Sequence, residues 1–195
     1  MVHASPASAK TALRAVMQDA RRRLASEAPD AASESIAHLP ADLLRRPNIV
    51  SGYRPMGAEI DPWPLMQAFA RAGATLALPV AFDRDAPLEF RAYSNGDPLE
   101  LDAFNILAPT RTAAIVEPDL VIVPLLAFDR FGSRMGQGAG HYDRTLEALR
   151  SRRPVVVLGL AYAGQQVARV PAEPHDQRLD AILTEKAYIE ASKDL

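Results

Sequence analysis

The chain has no cysteine. Disulfides, thiolate nucleophiles and cysteine-ligated zinc are therefore excluded together. Histidine is scarce as well, four scattered among 195 residues, which excludes a histidine-rich metal cluster and leaves a hard cation on oxygen ligands as the metal to expect. A basic excess is missing: the net charge is −2 and the isoelectric point near 6.1, against the positive balance of a general nucleic-acid binder. Small-molecule partners are favoured, with no nucleic acid. No apolar run approaches the length of a bilayer span, and residues 1–10, M-V-H-A-S-P-A-S-A-K, hold no secretory core. The Arg-rich opening carries Asp19 and Glu27, unlike a transit peptide. A cytoplasmic protein without a membrane partner is expected. Neither a nucleophile elbow nor an evident Ser-His-Asp pattern is present, so nothing points to an enzyme nucleophile.

What is present is enough for one domain with a full core, 48% of the residues being hydrophobic. The centre of the chain is residues 123–144, V-P-L-L-A-F-D-R-F-G-S-R-M-G-Q-G-A-G-H-Y-D-R. An apolar run over residues 120–126 predicts a buried strand, Gly132, Gly136, Gly138 and Gly140 follow, and a helical pattern starts at His141. Alternating glycines allow positive φ and let several N–H groups converge on an anion at a helix start. Neither nucleotide fingerprint fits: the loop lacks the Lys-Ser/Thr ending of a P-loop and reads G-x-G-x-G, not G-x-G-x-x-G. The glycines alone leave a phosphate cradle and an ordinary turn both open.

Ser5-Pro6 predicts a helix start, with Leu13, Val16, Met17, Ala20 and Leu24 on its inner face. Lys10 and Arg14, four apart, share a face. A second helix is expected over residues 31–44, a strand over 48–54, and a helix from Asp61-Pro62 to about Gly73. Residues 76–80, 88–93 and 155–160 read as strands, with a helix over 141–150 between the last two runs. Alternating strands and helices predict an α/β fold: one domain over residues 1–195, a three-layer α/β/α sandwich with a mostly parallel central sheet.

The segment A-F-D-R-F-G-S-R-M-G-Q-G-A-G-H-Y-D-R resembles the signature of the 5-formyltetrahydrofolate cyclo-ligase family, A-F-D-x-x-G-x-R-L-G-x-G-x-G-Y-Y-D-R. Lys10-Thr11-Ala12-Leu13-Arg14 is similar to its K-x-x-L-R opening, and V-P-A-E-P-H-D-Q-R-L-D-A-I-L-T-E near the C-terminus to its L-P-x-E-x-H-D-x-x-L-D ending. With Met56 to Ile60 these matches fall in the family's order across nearly the whole chain.

The resemblance implies ATP-dependent conversion of 5-formyltetrahydrofolate to 5,10-methenyltetrahydrofolate, releasing ADP and phosphate through a phosphorylated formyl group. It implies Mg2+ at Asp143 and Asp176. Residues Lys10, Thr11, Ala12, Leu13 and Arg14 would meet ATP, together with Arg134, Met135, Gly136, Gln137, Gly138, Ala139, Gly140, His141 and Tyr142. Folate would meet Arg54, Met56, Glu59 and Phe104, and Gln137 to His141 from the loop. Arg134, Lys10 and Tyr142 are the implied catalytic groups. ATP, the folate and its polyglutamates are the implied partners of a monomer.

Each residue also has a plainer reading. Lys10, Arg14 and Glu59 can be solvated charges, Phe104 a packed aromatic, Asp143 a first-turn helix acid and Asp176 a turn residue. His141 and His175 can be ordinary loop histidines. The trio Arg21, Arg22 and Arg23 has no family counterpart and reads as a solvated face. His141 departs from the family's first tyrosine and Gln137 from its usual Tyr or Arg, which bears on affinity. Two other functions stay open: a non-catalytic folate- or nucleotide-binding relative, and another phosphate-handling α/β enzyme such as a sugar-phosphate isomerase.

Overall fold

A computed structural model describes residues 6–192; Ser5, in the expected helix start, lies outside them. Helix α1 spans Pro6–Glu27. Leu13, Met17 and Ala20 pack inward, while Leu24 reaches the core on one face of the sheet. Val16 does not follow them and is 62% exposed. One residue before Met17, it stands about 100° around the helix from the packed seam.

The single helix expected next is two short ones, α2 (Ala31–Ser35) and α3 (Ala41–Arg45), with a 3₁₀ turn at Ile36–His38 between them. Pro40 is the cause. It has no N–H to donate and clashes with a helical residue before it, and Leu39 accordingly is extended at φ −70°, ψ 125°.

Strand β1 (Ile49–Ser51) leads to α4 (Trp63–Arg71), whose start is held by Asp61 accepting the Trp63 N–H at 2.9 Å. Then come β2 (Thr75–Val80), β3 (Glu89–Ala92), a separate ribbon of β4 (Leu99–Leu101) and β5 (Leu107–Pro109), and β6 (Leu120–Pro124). A second ribbon, β7 (Ala127–Phe128) with β8 (Arg134–Met135), precedes α5 (His141–Arg150). Strands β9 (Val156–Leu160), β10 (Ala181–Leu183) and β11 (Tyr188–Glu190) complete the sheet.

The seven-stranded sheet runs β11-β10-β9-β6-β1-β2-β3. Its five inner strands are mutually parallel, and only the edge strands β3 and β11 pair antiparallel. Strand β6 sits at the centre with both faces covered, as a continuous apolar run requires. Leu120 and Ile122 join Val50, Leu158 and Phe69 under α2 and α4, whereas Val121 and Val123 join Leu146 and Leu149 of α5. This is the three-layer sandwich that the alternating elements predict.

Candidate functional site

Strands β1 and β6 are parallel neighbours, but the chain leaves β1 over one face through α4 and β6 over the other through α5. At such a reversal the carboxyl ends of the strands part and leave a crevice. A cavity of about 430 Å³ opens there, within the range of small-molecule sites. Tyr53 and Arg54 enter it from the end of β1, Pro124 and Leu125 from β6, and Pro79 from β2. The glycine segment and α1 complete its wall.

The ribbon β7–β8 aims that segment. Fully buried Asp129 ties its turn together: Oδ1 accepts the N–H groups of Phe131 and Ser133 at 2.9 and 3.1 Å, and Oδ2 that of Val170 at 3.0 Å. Gly132 has φ +80°, and a Cβ there would stand 2.4 Å from the Leu179 carbonyl oxygen. Gly132→Ala is accordingly expected to cost at least ~2 kcal/mol of stability in urea unfolding, since neither backbone can yield cheaply; a loss below about 0.5 kcal/mol would contradict this account of the turn.

Beyond the ribbon lies the cationic end of the cavity. Gly138 and Gly140 have φ of +100° and +71°, and Gly140 is the residue from which α5 starts. Arg14 lies across this loop, its Nε donating to the Gly136 carbonyl at 3.2 Å and its guanidinium against Gly138. One turn earlier, Lys10 Nζ donates to Glu173 at 2.7 Å and Asp176 at 2.8 Å. Arg134, with a side chain only 6% exposed, pairs with Asp143 at 2.9 Å and donates to the Gln177 carbonyl. Asp143 also accepts the Gln177 N–H at 2.9 Å, so the segment 173–177 contains one of the acids named from the sequence, Asp176, and bonds to the other. Positive side chains and a glycine-lined helix start here surround the space an anion would take.

Lys10 and Asp176 shift each other. Burial lowers the Lys10 ammonium pKa, but hydrogen bonds and charge from Asp176 and Glu173 outweigh it and hold the group above its ordinary value. Burial raises Asp176, but the bond from Lys10 and the Glu173 N–H outweigh it and hold that acid below its ordinary value. The depressed acid stabilises the fold above its unfolded pKa and loses this as pH falls through the folded one; the raised base stabilises below its unfolded pKa and loses this as pH rises through the folded one. The pair is thus complete from about pH 5 to 9. Asp176→Asn is expected to lower stability by about 0.5–1 kcal/mol at pH 7, with the gap closing as the medium is acidified. Urea titrations at neutral and acid pH check this, and a gap that persists unchanged in acid would refute it.

The other end of the cavity is aromatic and carries one buried carboxylate. Glu59 Oε2 accepts the Met56 N–H at 2.9 Å, and Oε1 faces Arg21 Nη1 at 3.3 Å. Arg21 is a correction to the solvated-face reading. Its side chain is 8% exposed, whereas those of Arg22 and Arg23 are 69% and 67% exposed. Arg21 stands seven residues after Arg14 and eleven after Lys10, hence on their face of α1. That spacing was the available signal, masked by its place in a run of three arginines. Phe104 packs edge-on against His141 with ring centroids 4.8 Å apart. His141 Nε2 is buried with no partner among the described residues, an orphan that a bound molecule would satisfy. Burial foremost, then the charge of Glu59, raises the Tyr142 and Tyr53 hydroxyls above the ordinary tyrosine range, so both remain protonated donors.

The sequence matches the 5-formyltetrahydrofolate cyclo-ligase family over residues 6–185. The chain belongs to that family. It is 32% identical over 195 residues to the 5-formyltetrahydrofolate cyclo-ligase of Mycolicibacterium smegmatis, covering 96% of this chain and 98% of the relative. The Escherichia coli protein of the same name is 36% identical over 131 residues, covering 65% of this chain and 71% of its own. The solved structure of Aquifex aeolicus 5,10-methenyltetrahydrofolate synthetase superposes with a TM-score of 0.73 at 27% identity, covering 95% of this chain and 94% of that one. The chain is a ligase with the α/β fold of that enzyme.

Of the residues named from the sequence, Lys10, Arg14, Arg54, Met56, Glu59, Phe104, Arg134, Met135 and residues 136–143 all line the cavity, as does Asp176. Within the opening motif Thr11 and Ala12 are exposed and Leu13 packs on the ribbon. The sequence reading missed Arg21 and Glu173. The carboxylates of Glu173 and Asp176 and a ring nitrogen of His175 lie within 4.8 Å of one another, although His175 is 71% exposed. Asp143, in the first turn of α5, is tied to this segment through the Gln177 N–H, and the carboxylate oxygens suit a hard divalent cation; the ammonium of Lys10 between Glu173 and Asp176 shows that positive charge is stable there.

Proposed function

We propose that this cyclo-ligase converts 5-formyltetrahydrofolate to 5,10-methenyltetrahydrofolate with ATP and Mg2+, releasing ADP and phosphate. The observation that carries the reading is one cavity with two chemistries: Lys10, Arg14, Arg134 and the glycine loop at one end, Glu59 among aromatic side chains at the other. The N5-formyl group is amide-like, so its oxygen rather than its carbon reacts first. That oxygen attacks the γ-phosphorus of ATP, an O–P bond forms and the bond to ADP breaks. N10 then attacks the activated carbon and loses its proton, and the C–O bond to phosphate breaks.

Both attacking atoms belong to the substrate, so the protein's tasks are to align them and to neutralise charge. Arg134 and Lys10 face the phosphoryl group, Arg14 holds the glycine loop beside it, and Tyr142 supplies a protonated hydroxyl beside both ends. Asp143 and Asp176, with Glu173, would hold Mg2+, which supplies charge neutralisation at the phosphate oxygens. Glu59 accepts the adjacent N–H donors of the pterin edge, with Arg54, Met56 and Phe104 around the ring. The same reading has the chain act as a cytoplasmic monomer.

Absorbance at the methenyl-folate band tests this directly. Mixing protein, Mg-ATP and 5-formyltetrahydrofolate is expected to raise it, and omission of any component to abolish the rise. Binding of folate with no rise would favour a non-catalytic relative, and conversion of a sugar phosphate to its isomer, with no ADP released on adding the folate, would favour the isomerase-like alternative.

A further inference from the structure

We propose that Arg21 is a positioning residue for substrate recognition: it fixes the Glu59 carboxylate in the one orientation that accepts two adjacent donors of the substrate ring. This rests on the folate reading of the cavity. Arg21 Nη1 donates to Glu59 Oε1 at 3.3 Å and to the Leu125 carbonyl at 3.4 Å. The carbonyl is itself fixed. Gln165 Nε2 donates to it and to the Leu126 carbonyl, both at 2.9 Å, while Gln165 Oε1 takes the Tyr162 N–H at 2.8 Å. The guanidinium is thus tied to the end of β6 and, through Glu59, to the connection after β1.

Stability does not explain a guanidinium in this place. The inner face of α1 is already apolar through Leu13, Met17, Ala20 and Leu24, and a buried ion pair is seldom more stabilising than apolar groups of similar volume. The pair does something an apolar contact cannot. Oε1 is held by Arg21 and Oε2 by the Met56 N–H, so the carboxylate plane is set from both sides. Each oxygen retains a second lone pair. The tyrosines around Glu59, Tyr53 and Tyr142, stay neutral, and among the described residues its ion pair is with Arg21. The arrangement selects a ring edge with N–H and NH₂ side by side and rejects one that presents an acceptor there.

Steady-state kinetics on the full chain tests this. Arg21→Met is expected to raise KM for 5-formyltetrahydrofolate about tenfold or more, with KM for ATP within about twofold and kcat lowered less than about threefold. Arg21→Lys keeps the charge without the planar fork, and is expected to raise the folate KM only about threefold. In a Glu59→Gln background, Arg21→Met is expected to change the folate KM by less than about twofold, because its effect runs through the carboxylate.

A folate KM within about twofold of wild type in a folded Arg21→Met protein would overturn the proposal. So would its full effect added on top of Glu59→Gln, or both KM values rising together with a collapse of kcat. Where Arg21→Met does not fold, the lysine variant carries the test, and a folate KM equal to that of wild type overturns the proposal. Failure of the wild-type protein to form the methenyl product or bind the folate removes the folate reading itself, which separates that failure from failure of the role given to Arg21.

Discussion

With Arg134 replaced by methionine, kcat for methenyl-folate formation is expected to fall roughly 10³-fold or more. The side chain is 6% exposed and spans two partners, Asp143 at 2.9 Å and the Gln177 carbonyl. It is therefore a fixed cation. A fixed charge needs no reorganisation as negative charge spreads over a transferring phosphoryl group, which is why such an arginine acts on kcat more than on ground-state binding. Methionine keeps most of the length and the packing but has no donor. Asp143 would then lose the group that orients it while keeping the Gln177 N–H, so the acid proposed for the metal is weakened as well. The measurement is kcat by methenyl absorbance at saturating Mg-ATP, with folate affinity taken separately by calorimetry. A kcat within about tenfold of wild type would remove Arg134 from the phosphoryl-transfer machinery.

The cavity is legible in the sequence where periodicity and glycine chemistry are strong. The apolar run at β6, its alternate residues feeding opposite cores, places the sheet's centre. Lys10 and Arg14 meet at one end of the cavity because four residues make about one helical turn. Other parts were not legible, for identifiable reasons. The ribbon β7–β8 has two residues per strand, too few for any alternation to register. Its shape comes from Asp129 and Gly132, whose partners Val170 and Leu179 lie more than forty residues further on. Strands β10 and β11, three residues each, pair through tertiary context alone. Arg21 illustrates the opposite error: composition said solvent, and the helical phase, which pointed to the cavity, was the better guide. Glu173 joined the site only because a turn brings its side chain back toward Lys10.

Glu59→Gln should separate the two ends of the cavity. The glutamine is nearly isosteric, but it replaces one acceptor oxygen with an NH₂ donor. Facing Arg21 it would put donor against donor, and facing the ring edge it would do the same to the substrate. Either way one charge-assisted bond is lost and Arg21 is left buried without its counter-ion. KM or Kd for 5-formyltetrahydrofolate is expected to rise about 30- to 100-fold, equivalent to about 2–3 kcal/mol, with KM for ATP nearly unchanged. Asp143→Asn is the matched comparison at the other end. It should lower kcat and raise the Mg2+ requirement while folate affinity holds, because Asp143 bonds to Arg134 and Gln177 rather than to the groups around Glu59. Calorimetry with folate alone and turnover across a Mg2+ series read the two effects independently. If Glu59→Gln chiefly lowers kcat and Asp143→Asn chiefly weakens folate binding, the ends of the cavity have been assigned the wrong way round.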